Sequence, residues 1–284
     1  MGVICEAYAK VNLYLHVTGQ RENGYHELDS LICFAQTGDY LTFSQADDIT
    51  LQVTGPMARF LEGDEQDNLV LRAAHGLKQL CGYAGGASIV LEKHLPVAAG
   101  IGGGSGDAAA TLKGLCALWN VFPDPMGLQK LALSLGADVP ICLKQHAAHV
   151  GGIGEVITPL APLPESWMLL VNPMVAVPTP EVFKRRNGSF HAPFPMIGEY
   201  SFSDFISELK KRTNDLMAPA LSIAPSIHQV LTELRQQDGA SLVRMSGSGA
   251  TCFAIFAREE DAINAEKALI SKFSGWWTAV GKII

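Results

Sequence analysis

An α+β fold in two parts is what this chain of 284 residues predicts. Three observations carry the expectation. Alternating apolar runs, the mark of half-buried strands, cluster at the start and return later with helical stretches between them. A glycine-dense segment, P-V-A-A-G-I-G-G-G-S-G-D at 96–107, joins a strand directly to a helix. A proline-rich stretch at 159–164 makes a boundary, dividing the chain into 1–158 and 159–284.

Taken in order, A-K-V-N-L-Y-L-H-V and L-D-S-L-I-C-F read as two strands joined by the glycine-bearing G-Q-R-E-N-G-Y-H. Strands follow at Tyr40–Phe43 and Ile49–Val53. A helix at Leu69–Leu80 is introduced by Asp67 and Asn68, residues that cap helix starts. The strand Ala87–Glu92 feeds the glycine segment, and Ala108, Leu112, Leu115 and Trp119 then recur at helical spacing. Met126–Leu135 is helical and stops at Gly136; in the following A-D-V-P, Pro140 biases its predecessor away from helix and leaves Asp138 in an irregular turn. Beyond the boundary come a strand at Trp167–Asn172, a polar region at 184–200 and helices near Asp204–Leu209 and Ile227–Arg235. The strand Thr251–Ala257, the helix Glu259–Lys272 and a strand near Trp277–Val280 close a split β-α-β pattern.

Composition excludes several functions. A formal charge of −7 argues against a nucleic-acid partner, which needs a basic face to neutralise phosphates. No apolar run is long enough to span a bilayer, Glu6 and Lys10 interrupt the start, and Glu6 stands where a myristoylation signal needs Ser or Thr; a cytoplasmic protein is expected. The six cysteines lie scattered in apolar stretches without a C-x-x-C pair, which reads as reduced core thiols. His146 and His149 form an H-x-x-H without a third ligand at a diagnostic spacing, so no metal site is assigned.

The glycine segment is the strongest chemical signal. Glycine permits positive φ and close approach to the main chain, and the unpaired amides of the following helix point into the loop, which suits a phosphate. No Lys-Ser or Lys-Thr follows, so it is not a Walker A loop, and Ser105 breaks the G-x-G-x-x-G spacing. Ser105 and Asp107 either cap the helix or meet a ligand or metal. Lys10 sits in an apolar strand with Asn12 on the same face, where a lysine is an edge residue or a functional one. The patch R-M-S-G-S-G-A-T either closes over the ligand or is a tight connection, and Tyr25 and His26 lie on a loop.

Together A-Y-A-K-V-N-L-Y-L-H-V-T-G-Q-R-E-N-G-Y-H, L-P-V-A-A-G-I-G-G-G-S-G-D-A-A-A, L-G-A-D-V-P and M-S-G-S-G-A resemble the small-molecule kinases of the GHMP superfamily, from about Ala7 to Ala257. The resemblance implies a two-domain fold, an N-terminal ATP-binding domain followed by a ferredoxin-like C-terminal domain. It implies ATP as phosphoryl donor, with Mg2+, and a cytidine-diphosphate-linked polyol as acceptor. Lys10 and Asp138 match the family's catalytic pair. Pro96, Gly100, Gly102, Gly103, Gly104, Ser105 and Gly106 match the loop around the triphosphate. Tyr25 and Phe183 match aromatics that sandwich the cytosine, His26 a residue that reads its edge, and Asn12 one near the polyol or its phosphates. Gly106 departs from the family pattern, which has a second serine there, leaving Ser105 and backbone amides to hold phosphate or metal. Other members of the superfamily, an ATP-dependent decarboxylase of the same fold, or a ligand-binding regulator without turnover are the alternatives. The sequence leaves monomer or homodimer open.

Overall fold

The computed structural model describes residues 2–61, 68–196 and 198–284. Strands β1 (Val3–Gln20), β2 (His26–Ala46) and β3 (Ile49–Thr54) come first, then α1 (Leu69–Cys81), β4 (Gly86–Glu92), α2 (Gly103–Trp119), α3 (Pro125–Leu135) and α4 (Val139–Lys144). They are followed by β5 (Ala148–Gly152), β6 (Val156–Pro159), β7 (Trp167–Asn172), α5 (Thr179–Arg185), α6 (Phe202–Lys210), α7 (Met217–Ile223) and α8 (Ser226–Arg235). The chain closes with β8 (Leu242–Met245), β9 (Cys252–Phe256), α9 (Glu259–Lys272) and β10 (Trp277–Lys282).

The chain packs as two units built from interleaved segments: 1–9, 38–97 and 102–145 form the first, and 10–37, 98–101 and 146–284 the second. The long strands β1 and β2 each supply a segment to both, and the proline-rich stretch at 159–164 lies inside the second.

In the first unit, β4 lies between β3, to which it is parallel, and the C-terminal half of β2, to which it is antiparallel. The expected strands at Leu28–Phe34 and Tyr40–Phe43 are parts of the single strand β2. The T-G-D between them reads as a break, yet it stays extended because the chains approach closely there: a Cβ on Gly38 would stand 2.1 Å from the Ala7 carbonyl oxygen. Asn68 caps α1 as expected, its side chain accepting from the Val70 amide; Asp67, the other expected start residue, lies outside the described residues.

Helix α2 is nearly all buried from Gly106 to Leu115 and packs through Gly114 against the Phe43 ring, where a Cβ would come within 2.2 Å. It starts at Gly103, five residues before the first apolar repeat at Ala108, so much of the glycine run is helical. The turn expected at Asp138 is instead the N-cap of α4, with Pro140 in the first turn. Proline is tolerated there because the N–H it lacks would be unpaired anyway.

In the second unit the N-terminal half of β2 pairs with β5, and β5 with β6. A separate antiparallel sheet has the order β10-β7-β9-β8. With α8 and α9 as crossovers this is β-α-β-β-α-β, the ferredoxin-like arrangement expected, with α5 to α7 inserted after β7. Its core joins Leu169 and Val171 of β7, Ala254 and Phe256 of β9, Val230 and Leu234 of α8 and Leu269 of α9. Strand β8 escapes a periodicity reading because Arg244 sits in it; the guanidinium is buried and donates to the carbonyls of Leu13, Leu209 and Arg212.

Candidate functional site

The glycine segment leaves β4 through Pro96, which is buried, and turns with positive φ at Ala98 (52°), Gly100 (74°) and Gly102 (65°). Gly102 is the N-cap of α2, no side chain caps that helix, and its first turn holds no acidic residue. The readings of Ser105 and Asp107 as caps are therefore not realised: Ser105 is inside the first turn and Asp107 in the second. The amides of Gly103, Gly104 and Ser105 head a helix of 17 residues, the arrangement that binds anions. Gly106 donates its amide to the Gly102 carbonyl at 2.7 Å, and a Cβ on it would meet the Ala7 side chain at 3.5 Å, an ordinary van der Waals distance.

A buried charge cluster underlies this turn within the first unit. The Lys93 ammonium donates to Asp39 Oδ2 at 2.5 Å and to Asp107 Oδ2 at 2.6 Å. Asp39 Oδ1 accepts from the amides of His94 (2.6 Å) and Leu95 (2.8 Å), fixing the path from β4 into the loop. A Cβ on Gly103 would lie 3.2 Å from Lys93 Nζ, so the ammonium sits directly against the first residue of α2. Burial works against the Lys93 charge, but the two carboxylates overcome it and raise its pKa. Burial is also the largest influence on Asp107, and with the neighbouring Asp39 it pushes that carboxyl up to about 7 against the pull of Lys93. Neither Lys93 nor Asp39 is marked by the motif reading; a lysine at the end of a strand immediately before the glycine run is the signal that points to them.

In the second unit the loop residues Ala98–Ile101 lie against β1 and the second glycine patch. Lys10 donates its amide to the Ile101 carbonyl at 2.9 Å, Thr251 donates its amide to that of Ala99, and Ser246 Oγ donates to that of Gly100 at 3.0 Å. The same Ser246 Oγ accepts from the Asn12 amide at 3.1 Å. Asn214 holds the patch from behind, its Nδ2 donating to the carbonyls of Met245 and Gly247 at 2.8 Å each. The expected residues Lys10 and Asn12 are both 5% exposed, and Lys10 Nζ donates to Asn12 Oδ1 at 3.2 Å. Asp138 belongs to the first unit, half-buried at the start of α4.

Of the aromatic residues, His26 and Phe183 are brought together, stacked with ring centroids 5.2 Å apart and 24° between planes. Phe183 reaches there from α5, leaning on the core of the second unit, and Tyr25 precedes His26 on the β1–β2 turn with 61% of its surface exposed. Burial, and then the charge of Arg186, hold His26 below its ordinary pKa. His149, of the H-x-x-H pair, instead pairs with Asp29 Oδ1 at 2.7 Å, an atom that also accepts from Tyr14 Oη at 2.6 Å. Burial pushes the Asp29 carboxyl up, but these bonds and one from the Phe194 amide outweigh it and hold the group below its usual range.

Residues 68–146 match the family described as GHMP kinases N terminal domain, and residues 202–275 match GHMP kinases C terminal. The chain is 48% identical over 283 residues to the 4-diphosphocytidyl-2-C-methyl-D-erythritol kinase of Rhodospirillum rubrum, covering 99% of this chain and 93% of the relative. The chain belongs to the GHMP kinase family. Among its members, the 4-diphosphocytidyl-2-C-methyl-D-erythritol kinase of Cereibacter sphaeroides is 49% identical, with 98% of each chain covered. A crystal structure of 4-(cytidine 5'-diphospho)-2C-methyl-D-erythritol kinase superposes with a TM-score of 0.81 at 34% identity, covering 100% of this chain and 99% of the other. Homoserine kinase from Cytophaga hutchinsonii, at 17% identity and a TM-score of 0.69, shares the fold. The family matches fall one on each side of residue 158.

Proposed function

We propose that this GHMP kinase transfers the γ-phosphoryl group of ATP to the 2-hydroxyl of 4-diphosphocytidyl-2-C-methyl-D-erythritol, a step of non-mevalonate isoprenoid precursor synthesis. The observation that carries the substrate is the 48% identity over 99% of the chain to a relative of that name. The uncapped start of α2 supports the donor half of the reading. In sequence terms the ATP-binding part is 1–158 and the second domain 159–284. The protein works in the cytoplasm on small molecules and not on nucleic acid, as a monomer or homodimer. No helix among the described residues is long and apolar enough to cross a membrane.

Phosphoryl transfer asks for alignment of the attacking oxygen, neutralisation of charge on the transferred group, and an acceptor for the hydroxyl proton. Gly100 and Gly102 turn the main chain, Pro96 stiffens its entry, and the amides of Gly103, Gly104 and Ser105 hold the phosphates, with Gly106 close behind. Asp138 accepts the proton as the oxygen attacks, and Lys10 stabilises negative charge on that oxygen. Tyr25 and Phe183 hold the cytosine ring. His26, kept neutral by burial, offers one donor and one acceptor to its polar edge. Asn12 lies by the polyol end of the substrate. Mg2+ comes with the ATP phosphates, its usual manner of binding. Among the described residues no three His, Cys, Asp or Glu side chains converge on a metal position.

The test is ADP release by the purified protein with ATP, Mg2+ and a panel of alcohols that includes the cytidine-linked polyol, homoserine and mevalonate. Turnover on the cytidine-linked polyol alone is expected; turnover on another alcohol, or on none, contradicts the proposal.

A further inference from the structure

Lys10 carries the reaction's cation in the reading above, and its ammonium is fixed by a side chain that must itself be held. Asn12 can serve only if its amide presents the oxygen to Lys10, because an NH2 group facing an ammonium sets donor against donor. The orientation is imposed from the other end. Asn12 Nδ2 donates to Ser30 Oγ at 2.8 Å, and Ser30 Oγ donates its one proton to the Tyr14 carbonyl at 2.5 Å. With that proton committed, Ser30 can only accept from Asn12. The result is a one-way line of hydrogen bonds from Lys10 through Asn12, Oδ1 toward the ammonium and Nδ2 toward the hydroxyl, with Ser30 anchored on the β1 backbone. Flipping the amide would break both of its bonds at once.

The line is sealed from water, which is what makes it stiff. Ser30 is 1% exposed, and Tyr14 is fully buried. The backbone around it is tied independently: the Asn12 amide goes to Ser246, and Arg244 donates to the Leu13 carbonyl. The orientation of the Asn12 amide is thus the one degree of freedom that Ser30 controls. Leaving a buried amide donor unpaired costs its full desolvation, so loss of the hydroxyl turns a single orientation into a choice between poor ones.

We propose that Ser30, on β2, is a positioning residue for phosphoryl transfer, acting through Asn12 to aim the Lys10 ammonium. The proposal rests on Lys10 being the reaction's cation. Ser30 is buried behind Asn12, so its removal acts on the chemical step through the Lys10 ammonium, and any effect on binding is confined to the polyol that Asn12 adjoins.

The experiment is a cycle of kcat values for the wild-type chain, Ser30→Ala, Lys10→Met and the double variant, with KM for ATP and for the cytidine-linked polyol. Ser30→Ala is expected to lower kcat about tenfold while KM for ATP stays within about threefold, the pattern of an interaction made in the transition state and not at the donor site. In the Lys10→Met background the same change is expected to have no further effect, because the two residues act as a unit. Ser30→Thr, which restores the hydroxyl, should recover kcat. If Lys10→Met leaves kcat unchanged, the reading of Lys10 fails and takes this proposal with it. If Lys10→Met lowers kcat but Ser30→Ala does not, or if the two losses multiply, the positioning role alone is overturned. Should Ser30→Ala lose its thermal transition, Ser30→Cys replaces it, keeping the size of the side chain but bonding weakly; wild-type kcat in that variant overturns the proposal equally.

Discussion

Replacing Gly114 by alanine tests whether the packing of α2 on the sheet of the first unit demands glycine. The new Cβ would stand 2.2 Å from Phe43 Cε2, 2.5 Å from Cδ2 and 2.8 Å from Cζ. Carbon atoms in contact prefer about 3.5–4.0 Å, so the ring or the helix must retreat by more than about 1 Å. Phe43 is fully buried. Overpacking of this kind costs about 1–3 kcal/mol, and the better helix propensity of alanine returns about 0.5–1 kcal/mol. A net loss of about 1–2 kcal/mol is expected, read as a lower urea midpoint with an unchanged slope and a fall of about 2–3 °C in Tm. Gly106→Ala is the control, since its Cβ would meet nothing closer than 3.5 Å in the same helix. It should hold or gain stability. Pairing Gly114→Ala with Phe43→Leu should recover part of the loss, as expected for residues in contact. A Gly114→Ala protein as stable as the parent, with an intact helix, would refute the reasoning.

Tyr25→Ala should raise KM for the cytidine-linked polyol much more than KM for ATP in steady-state kinetics; equal increases would contradict its assignment to the cytosine. The stability of the protein should also fall in mild acid because of His16. That ring is 3% exposed, its Nε2 accepts from the Thr213 amide at 3.0 Å, and it stacks on His191 at 4.4 Å. Burial first, and then His191, hold its pKa below the ordinary 6.5, while Asp215 and Asp29 pull upward and Arg212 downward. A histidine whose folded pKa is depressed binds its proton more readily when unfolded, so its contribution is intact above 6.5 and is lost as pH drops from there toward the folded value. Chemical denaturation across that window should show the decline, and His16→Gln should flatten it; an unchanged slope would remove His16 as the source.

Much of the scaffold was legible because periodicity reports burial. Helix α1 with Asn68 at its cap, the strand β9 and the helix α9 all follow from apolar spacing and capping chemistry. What was hidden depended on partners distant in sequence. T-G-D is left between two expected strands until Ala7 packs on Gly38, and β8 looks too polar until Arg244 finds three backbone carbonyls. A-D-V-P hid a short helix because proline is permitted in a first turn. For the site, the glycine run and the start of α2 were visible from composition alone. Lys10 and Asn12 were visible as polar residues on an apolar strand. The residues that hold these groups were not: Lys93, Asp39 and Ser30 belong to no motif with a fixed spacing, and their bonds, like those of Ser246 inside M-S-G-S-G-A, exist only once the strands are paired.

The central claim is that Asp138 takes the proton from the acceptor hydroxyl during transfer from ATP. Single-turnover phosphorylation of the cytidine-linked polyol by the wild-type and Asp138→Asn proteins, with binding of both substrates measured alongside, tests it most directly. The account predicts a rate lower by about 10²–10⁴ with both substrates still bound, the usual share of a general base. A near-normal rate in Asp138→Asn would contradict it.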